Sequence, residues 1–101
     1  MSSSDHHYLR FEVQPKVTSE LSIRQTIHRA LLESFGLTGG TIYLDVLWVS
    51  EDGLEMVIRV DPQDARNVLA ATTSLSSPRI RLVEESSFLP SLLRSQIHPT
   101  F

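Results

Sequence analysis

Histidine and carboxylate side chains are the first candidates for chemistry in this chain, because acid–base catalysis and metal binding most often use them. The chain has four histidines. His6 and His7 lie in a polar stretch at the N-terminus, and His98 lies near the C-terminus. His28 alone falls in a predicted helix, and no second ligand type lies four residues from it. We therefore expect a solvated His28, no metal site and no bound cofactor.

One carboxylate, Asp45, interrupts the most apolar stretch of the chain, Ile42–Val49. A catalytic carboxylate works together with a nucleophile, a base or a second carboxylate, and none is expected beside Asp45. We expect an exposed ion pair with Arg10, Arg59 or Arg81 on neighbouring strands. Because the chain contains no cysteine, thiolate catalysis, disulfides and cysteine-based zinc sites are excluded. The sequence therefore predicts that this chain is not an enzyme.

The basic residues are arginines except for Lys16, and the net charge is −3. Proteins that bind nucleic acid on their own are usually strongly basic, because neutralising phosphates supplies most of their affinity. The composition therefore argues against a stand-alone nucleic-acid binder. Arginine does suit specific, planar contacts. The candidates for an RNA contact are Arg10, Arg59, Arg79 and Arg81.

Apolar periodicity predicts six elements that position these side chains. The hairpin signal Ser50–Gly53 joins two of them, because Asp-Gly tolerates positive φ. Asp61 followed by Pro62 predicts a helix start, with Asp61 as the N-cap. In chain order we expect a strand at 8–13, a helix from 18 or 22 to 36, strands at 42–49 and 54–60, a helix at 62–74 and a strand at 79–85.

The β-α-β-β-α-β order predicts an α+β fold, a ferredoxin-like (RRM-like) sandwich. Its four-stranded antiparallel sheet carries both helices on one face, and the first and third strands are central. We expect a flexible N-terminal leader at 1–7, the domain at 8–86 and a C-terminal tail at 87–101. Because this topology hosts many unrelated functions, the fold alone does not name one.

The face of the sheet away from the helices lacks the features of two functions that this fold supports. An RRM stacks bases on aromatic rings of the central strands, but Glu55, Val57 and Arg59 supply none, and Tyr8 lies at an edge. An acylphosphatase-like site needs a glycine-rich loop after the first strand and a water-orienting asparagine. That loop contains no glycine, and the one asparagine, Asn67, falls in the second helix.

The same face combines apolar side chains with arginines, and such surfaces suit protein interfaces. Strict alternation along 42–49 places Trp48 toward the core and Val49 on this face. The apolar residues of the predicted tail fold back over this face, bind a partner, or do both. The predicted partner-binding residues are Leu47, Val49, Val57, Val83, Phe88, Leu89 and Leu92.

Several segments resemble the small ferredoxin-like protein subunits of eukaryotic RNase P and RNase MRP. The acidic and then apolar segment Val83–Phe88 stands where the more basic branch of that family has basic residues. This resembles the divergent, non-basic paralogue branch. The segments that carry the resemblance are Tyr8–Val13, Leu31–Gly36, Leu44–Leu47, Ile58–Val60 and Ser87–Leu89.

The resemblance implies a non-catalytic subunit of a ribonucleoprotein whose RNA is catalytic. It implies a scaffold that forms a heterodimer with a related subunit, joins further protein subunits and contacts RNA mostly indirectly. The implied processes are tRNA 5′-leader removal and rRNA processing in the nucleus and nucleolus, away from membranes. The alternative is a small-molecule-binding regulatory domain of the amino-acid-sensing type. Its glycine-rich turn is missing after the first strand, although Gly39-Gly40 is a glycine pair elsewhere.

Overall fold

The computed structural model of the protein describes residues 6–88, and the predicted β-α-β-β-α-β order is confirmed. A 3-10 turn at Pro62–Asp64 precedes the second helix. None of the described helices combines the length and apolarity needed to cross a membrane. The elements are β1 (His7–Gln14), α1 (Glu20–Gly40), β2 (Leu44–Val49), β3 (Glu55–Val60), α2 (Ala65–Thr73) and β4 (Arg79–Ser86).

The four strands form one antiparallel sheet in the order β2-β3-β1-β4. The prediction that the first and third strands are central is confirmed. Alternate residues of these strands, such as Phe11 and Ile58, pack in one core with Ile27 of α1 and Val68 of α2. Both helices therefore cover the same face, as the ferredoxin-like fold requires, and the other face of the sheet is left without a helix.

The core follows from two periodicities. Leu9 and Phe11 alternate along β1 and are fully buried. On α1, Ile23, Ile27 and the pair Ala30-Leu31 are buried at helical spacing. Burial of each large aliphatic side chain contributes about 1.5–3 kcal/mol relative to its exposure to water.

The ends of α1 differ from the prediction. The N-cap is Ser19, whose Oγ accepts a hydrogen bond from the Ser22 amide at 3.2 Å, and neither Thr18 nor Ser22 serves as the cap. Gly36, the predicted stop, does break the helix at φ 67°. The chain then makes a further helical turn that ends at Gly40, where the sequence predicted a loop. The last turn is therefore set at an angle to the rest of the helix.

The hairpin between β2 and β3 forms at the predicted turn. Gly53 has φ 74°, and the Asp52 carboxylate accepts a hydrogen bond from the Leu54 amide at 3.0 Å. The Val17 amide donates to the Gly53 carbonyl at 2.6 Å. A Cβ at position 53 would lie 2.7 Å from the Val17 carbonyl oxygen. The turn therefore requires glycine because of its positive φ and because of this close approach of the backbone.

A β-bulge in β2 contradicts the predicted orientation of two residues. Val46 lies opposite Ile58 but Trp48 lies opposite Val57, which leaves the intervening residue of β2 without a counterpart. Because one extra residue reverses the alternation, Trp48 lies on the face without helices and Val49 packs against the core. The predicted placement of Val49 on the partner-binding face is therefore wrong.

A second bulge lies in β4. Leu82 is opposite Phe11 and Glu84 is opposite Arg10, so Val83 is the extra residue. Val83 is 43% exposed at this position. The bulge brings Glu84 onto the same face as Arg10. Regular alternation along β4 would have placed Glu84 on the core side.

The second helix begins later than predicted, because Pro62–Asp64 forms the 3-10 turn and α2 starts at Ala65. Asp61 precedes that turn but makes no side-chain capping bond. Ala65 and Val68 of α2 are buried against the core. The N-cap position predicted for Asp61, with Pro62 after it, is therefore confirmed for the 3-10 turn, but the predicted side-chain hydrogen bond is not made.

The outer ends of the first and last strands lie one residue beyond the predicted ones. β1 begins at His7 rather than Tyr8, and β4 ends at Ser86 rather than Glu85. Phe88 is 59% exposed after the last strand. The predicted tail residues Leu89 and Leu92 lie outside the described residues.

Candidate interaction surface

The side of the sheet that carries no helix is the first candidate surface, and we call it the open face. Strand register assigns its members, because paired residues in antiparallel strands point to the same side. The open face consists of Tyr8, Arg10, Glu12, Gln14, Asp45, Trp48, Glu55, Val57, Arg59, Arg79, Arg81, Glu84 and Ser86.

The centre of the open face holds an ion pair between buried Arg10 and half-buried Glu55. The Arg10 Nη2 and Nε atoms donate to Oε1 of Glu55 at 2.5 and 3.0 Å. Arg10 is only 7% exposed. The guanidinium of this predicted RNA-contact residue is therefore engaged within the sheet, and little of its surface meets solvent.

Asp45 accepts two hydrogen bonds at the β2 edge. The Tyr43 hydroxyl donates to Oδ1 at 2.6 Å, and Arg59 Nη2 donates to Oδ2 at 2.7 Å. The hydrogen bond from Tyr43, followed by that from Arg59, lowers the pKa of Asp45 from its ordinary value. The same contact with Asp45 raises the pKa of the Tyr43 phenol. Of the three arginines expected as partners of Asp45, Arg59 is the one that forms the pair.

The remaining predicted RNA-contact residues lie toward the β4 edge. Arg81 is exposed and forms an ion pair with Glu12 of β1. Arg79, at the start of β4, is also exposed and has no ion pair with a described residue. Farther along the same edge, His7 Nε2 lies 2.7 Å from Glu85 Oε1.

Three of the four open-face arginines contact a carboxylate and the fourth, Arg79, lies at the end of β4, so the face is not a continuous basic patch. The guanidiniums of Arg10, Arg59 and Arg81 lie beside Glu55, Asp45 and Glu12, respectively. A phosphate would have to displace these carboxylates. RNA contact by these arginines stays a prediction, and the structure does not bring them together as one site.

The predicted partner-binding residues are dispersed. Val57 lies on the open face but has no exposed surface, so it cannot itself meet a partner without a rearrangement. Leu47 is half-buried at the β2 bulge, and Val83 and Phe88 are exposed at the other edge. Trp48, which sequence reasoning assigned to the core, takes the open-face position beside Val57.

A second candidate surface is a groove of about 590 Å³ between α1 and the start of β2. We call it the α1–β2 groove. Sequence reasoning missed it, because it concentrated on the sheet. The signal was Leu32, an apolar residue outside the buried stripe of α1 that follows Arg29 by one turn and Arg24 by about two turns. The groove is lined by Arg24, Gln25, His28, Arg29, Leu32, Gly40, Thr41, Ile42, Tyr43 and Leu44.

Comparison with known proteins identifies a family that matches this chain. The model of the family described as "Ribonucleases P/MRP protein subunit Pop8" matches residues 5–75 of the chain. No curated protein matches the chain. A chain from the "Cryo-EM structure of yeast Ribonuclease MRP" has a similar fold, with a TM-score of 0.69 and 16% sequence identity. The similarity covers 97% of this chain and 95% of that chain.

The family match includes most of the segments on which the sequence resemblance rests, from Tyr8–Val13 to Ile58–Val60. It extends over more than half of the 101 residues. The fold match independently supports the β-α-β-β-α-β arrangement. The family predicted from the sequence is therefore confirmed, and this chain belongs to the Pop8 family of protein subunits of ribonucleases P and MRP.

Proposed function

We propose that this chain is a non-catalytic protein subunit of the RNase P/MRP ribonucleoprotein. The observation that carries the proposal is the family match over residues 5–75. In this proposal the RNA performs phosphodiester cleavage, and the protein holds other subunits in position around it. The processes served are removal of the 5′ leader from precursor tRNA and processing of rRNA, in the nucleus and nucleolus.

The proposed partner is a related ferredoxin-like subunit, which forms a heterodimer with this chain. The open face supports protein contact because three of its four arginines already lie beside carboxylates, while Trp48 and the bulge residues Leu47 and Val83 add apolar surface. Interfaces between proteins combine such apolar groups with polar rims. We assign the partner contact to Leu47, Trp48, Val83 and Phe88.

Contact with the catalytic RNA is proposed to be mostly indirect. The net charge of −3 gives the chain no overall attraction for polyphosphate, and three of the four open-face arginines are paired with carboxylates. The protein partners would therefore connect this subunit to the RNA.

Depletion of the chain from its native cell tests the proposed role. Precursor tRNAs that retain their 5′ leaders and unprocessed rRNA precursors should accumulate, as measured by RNA sequencing across the processing sites. Expression of the wild-type chain should reverse the accumulation. Unchanged precursor levels after complete depletion would contradict the proposal.

A further inference from the structure

The α1–β2 groove has an arrangement that the fold itself produces. With about 100° between successive helical residues, Arg24 and Arg29 lie about 140° apart around the axis of α1, and Leu32 falls between them. Across the groove, Ile42 and Leu44 are buried at the start of β2. The groove therefore has an apolar floor between two cationic borders.

Two side chains in this groove offer apolar contact to a ligand. Leu32 is 38% exposed, and Tyr43 is 68% exposed. The hydrogen bond from the Tyr43 hydroxyl to Asp45 holds the aromatic ring at the mouth of the groove. An apolar side chain from a ligand could remove both groups from water.

The charges of the groove are unbalanced, in contrast to those of the open face. Neither Arg24 nor Arg29 has a carboxylate within 4.0 Å among the described residues, and no residue lining the groove is acidic. The carboxylate of Asp45 lies near enough for its charge to interact with that of Arg24, but its hydrogen bonds go to Tyr43 and Arg59. Two guanidiniums therefore remain available for bidentate hydrogen bonds to an incoming carboxylate.

We propose that the α1–β2 groove binds a segment of a partner protein in which an apolar side chain is flanked by carboxylates. The apolar side chain contacts Leu32 and Tyr43, and the carboxylates bind Arg24 and Arg29. The apolar floor favours a peptide over RNA, because interfaces with nucleic acid are more polar and more positively charged. This inference goes beyond the proposed function, since it requires only the groove and not assembly with RNA.

Chemical-shift mapping on the full chain labelled with ¹⁵N tests the inference. One probe is a blocked peptide with two leucines between pairs of glutamates, and the other replaces the glutamates by lysines. The acidic peptide should shift amides of α1 and the start of β2, and the lysine peptide should not. Substitution of both groove arginines, Arg24→Gln with Arg29→Gln, should weaken binding of the acidic peptide at least about tenfold.

The matched control is Arg66→Gln with Arg79→Gln, two exposed arginines on other elements. It removes the same charge and should leave the affinity for the acidic peptide unchanged. Retention of the native amide spectrum in both double variants shows that they are folded. Absence of binding by the acidic peptide, equal binding of both peptides, or an equal loss in both double variants would overturn the inference. Preferential binding of oligouridylate in the groove would overturn it in favour of RNA.

Discussion

Val57 shows that a residue on an open sheet face is not necessarily exposed to solvent or to a binding partner. Its cross-strand neighbours on that face are Arg10 and Trp48, and it is fully buried. Strand alternation predicts the face correctly, but exposure also depends on what surrounds the residue. At the scale of single residues, the open face therefore contributes to stability as well as offering a surface.

Substitution of Val57 by aspartate should destabilise the domain, because the new carboxylate would be buried beside Trp48 and would compete with Glu55 for the guanidinium of Arg10. We expect Val57→Asp to lower the free energy of unfolding by about 3 kcal/mol or more. The measurement is urea denaturation followed by circular dichroism. The matched control, Val83→Asp at the exposed β4 bulge, should cost less than about 1 kcal/mol. Equal effects would contradict the assigned burial.

Asp45 should make folding depend on pH in a defined direction. Its pKa in the folded protein lies below the ordinary value of 3.8, so its contribution to stability is present above 3.8 and decreases as the pH falls through the folded pKa. At neutral pH, Asp45→Asn should lower the free energy of unfolding by up to about 1 kcal/mol. The difference from wild type should disappear at acid pH.

Denaturation at a series of pH values measures this difference. Tyr43→Phe is the matched control, because it removes the hydrogen bond that lowers the pKa of Asp45 most but keeps the Arg59 pair. It should reduce the pH dependence without abolishing it. A difference between wild type and Asp45→Asn that stays constant down to acid pH would contradict the account.

At the scale of elements, the two helices begin in different ways, and this gives a direct comparison. Ser19 caps α1 through its hydroxyl, whereas Asp61 precedes a 3-10 turn without a side-chain capping bond. We expect Ser19→Ala to cost about 1 kcal/mol of stability. Asp61→Ala should cost less than about 0.5 kcal/mol. Thermal and urea denaturation of the two variants measure these costs, and the reverse order would contradict the assigned caps.

The elements themselves could be predicted from the sequence, because period-2 and period-3.6 patterns report directly on burial. The alternation of β1 and the stripe around Ile27 are examples. The bulges could not be located by the same reasoning. A strand with one extra residue has the same kind of composition as a regular strand, but every residue after the bulge points to the opposite face of the sheet. Four consecutive apolar residues, Val46–Val49, were the available sign that β2 departs from strict alternation.

The candidate surfaces were less predictable than the elements. The ion pair of Asp45 with Arg59 followed from strand neighbours, but burial of Arg10 depended on packing over the sheet. The α1–β2 groove could not be predicted, because its existence depends on the distance between a helix and an edge strand. Periodicity in the sequence gives no information about that distance. Sequence reasoning therefore identified one face and missed the groove.

At the scale of the whole molecule, neutralised arginines on one surface and available arginines on another suggest two protein contacts. Scattered apolar side chains also remain on the surface, including Leu37 and Phe88. We expect the full chain alone to self-associate as its concentration rises. Co-expression with the related subunit should give a defined heterodimer. Sedimentation velocity distinguishes the two, and a stable monomer at high concentration would contradict this expectation.

The most direct test of the central claim is affinity purification of the tagged full chain from its native cell, with sequencing of the RNA and identification of the proteins. The unfolded variant expected from Ile58→Asp, which buries a charge in the core, is the negative control. We predict recovery of RNase P or RNase MRP RNA together with a related ferredoxin-like subunit, and retention of that subunit after digestion of the RNA. Recovery of neither RNA, or loss of the related subunit with the RNA, would contradict a scaffold that acts through protein contacts.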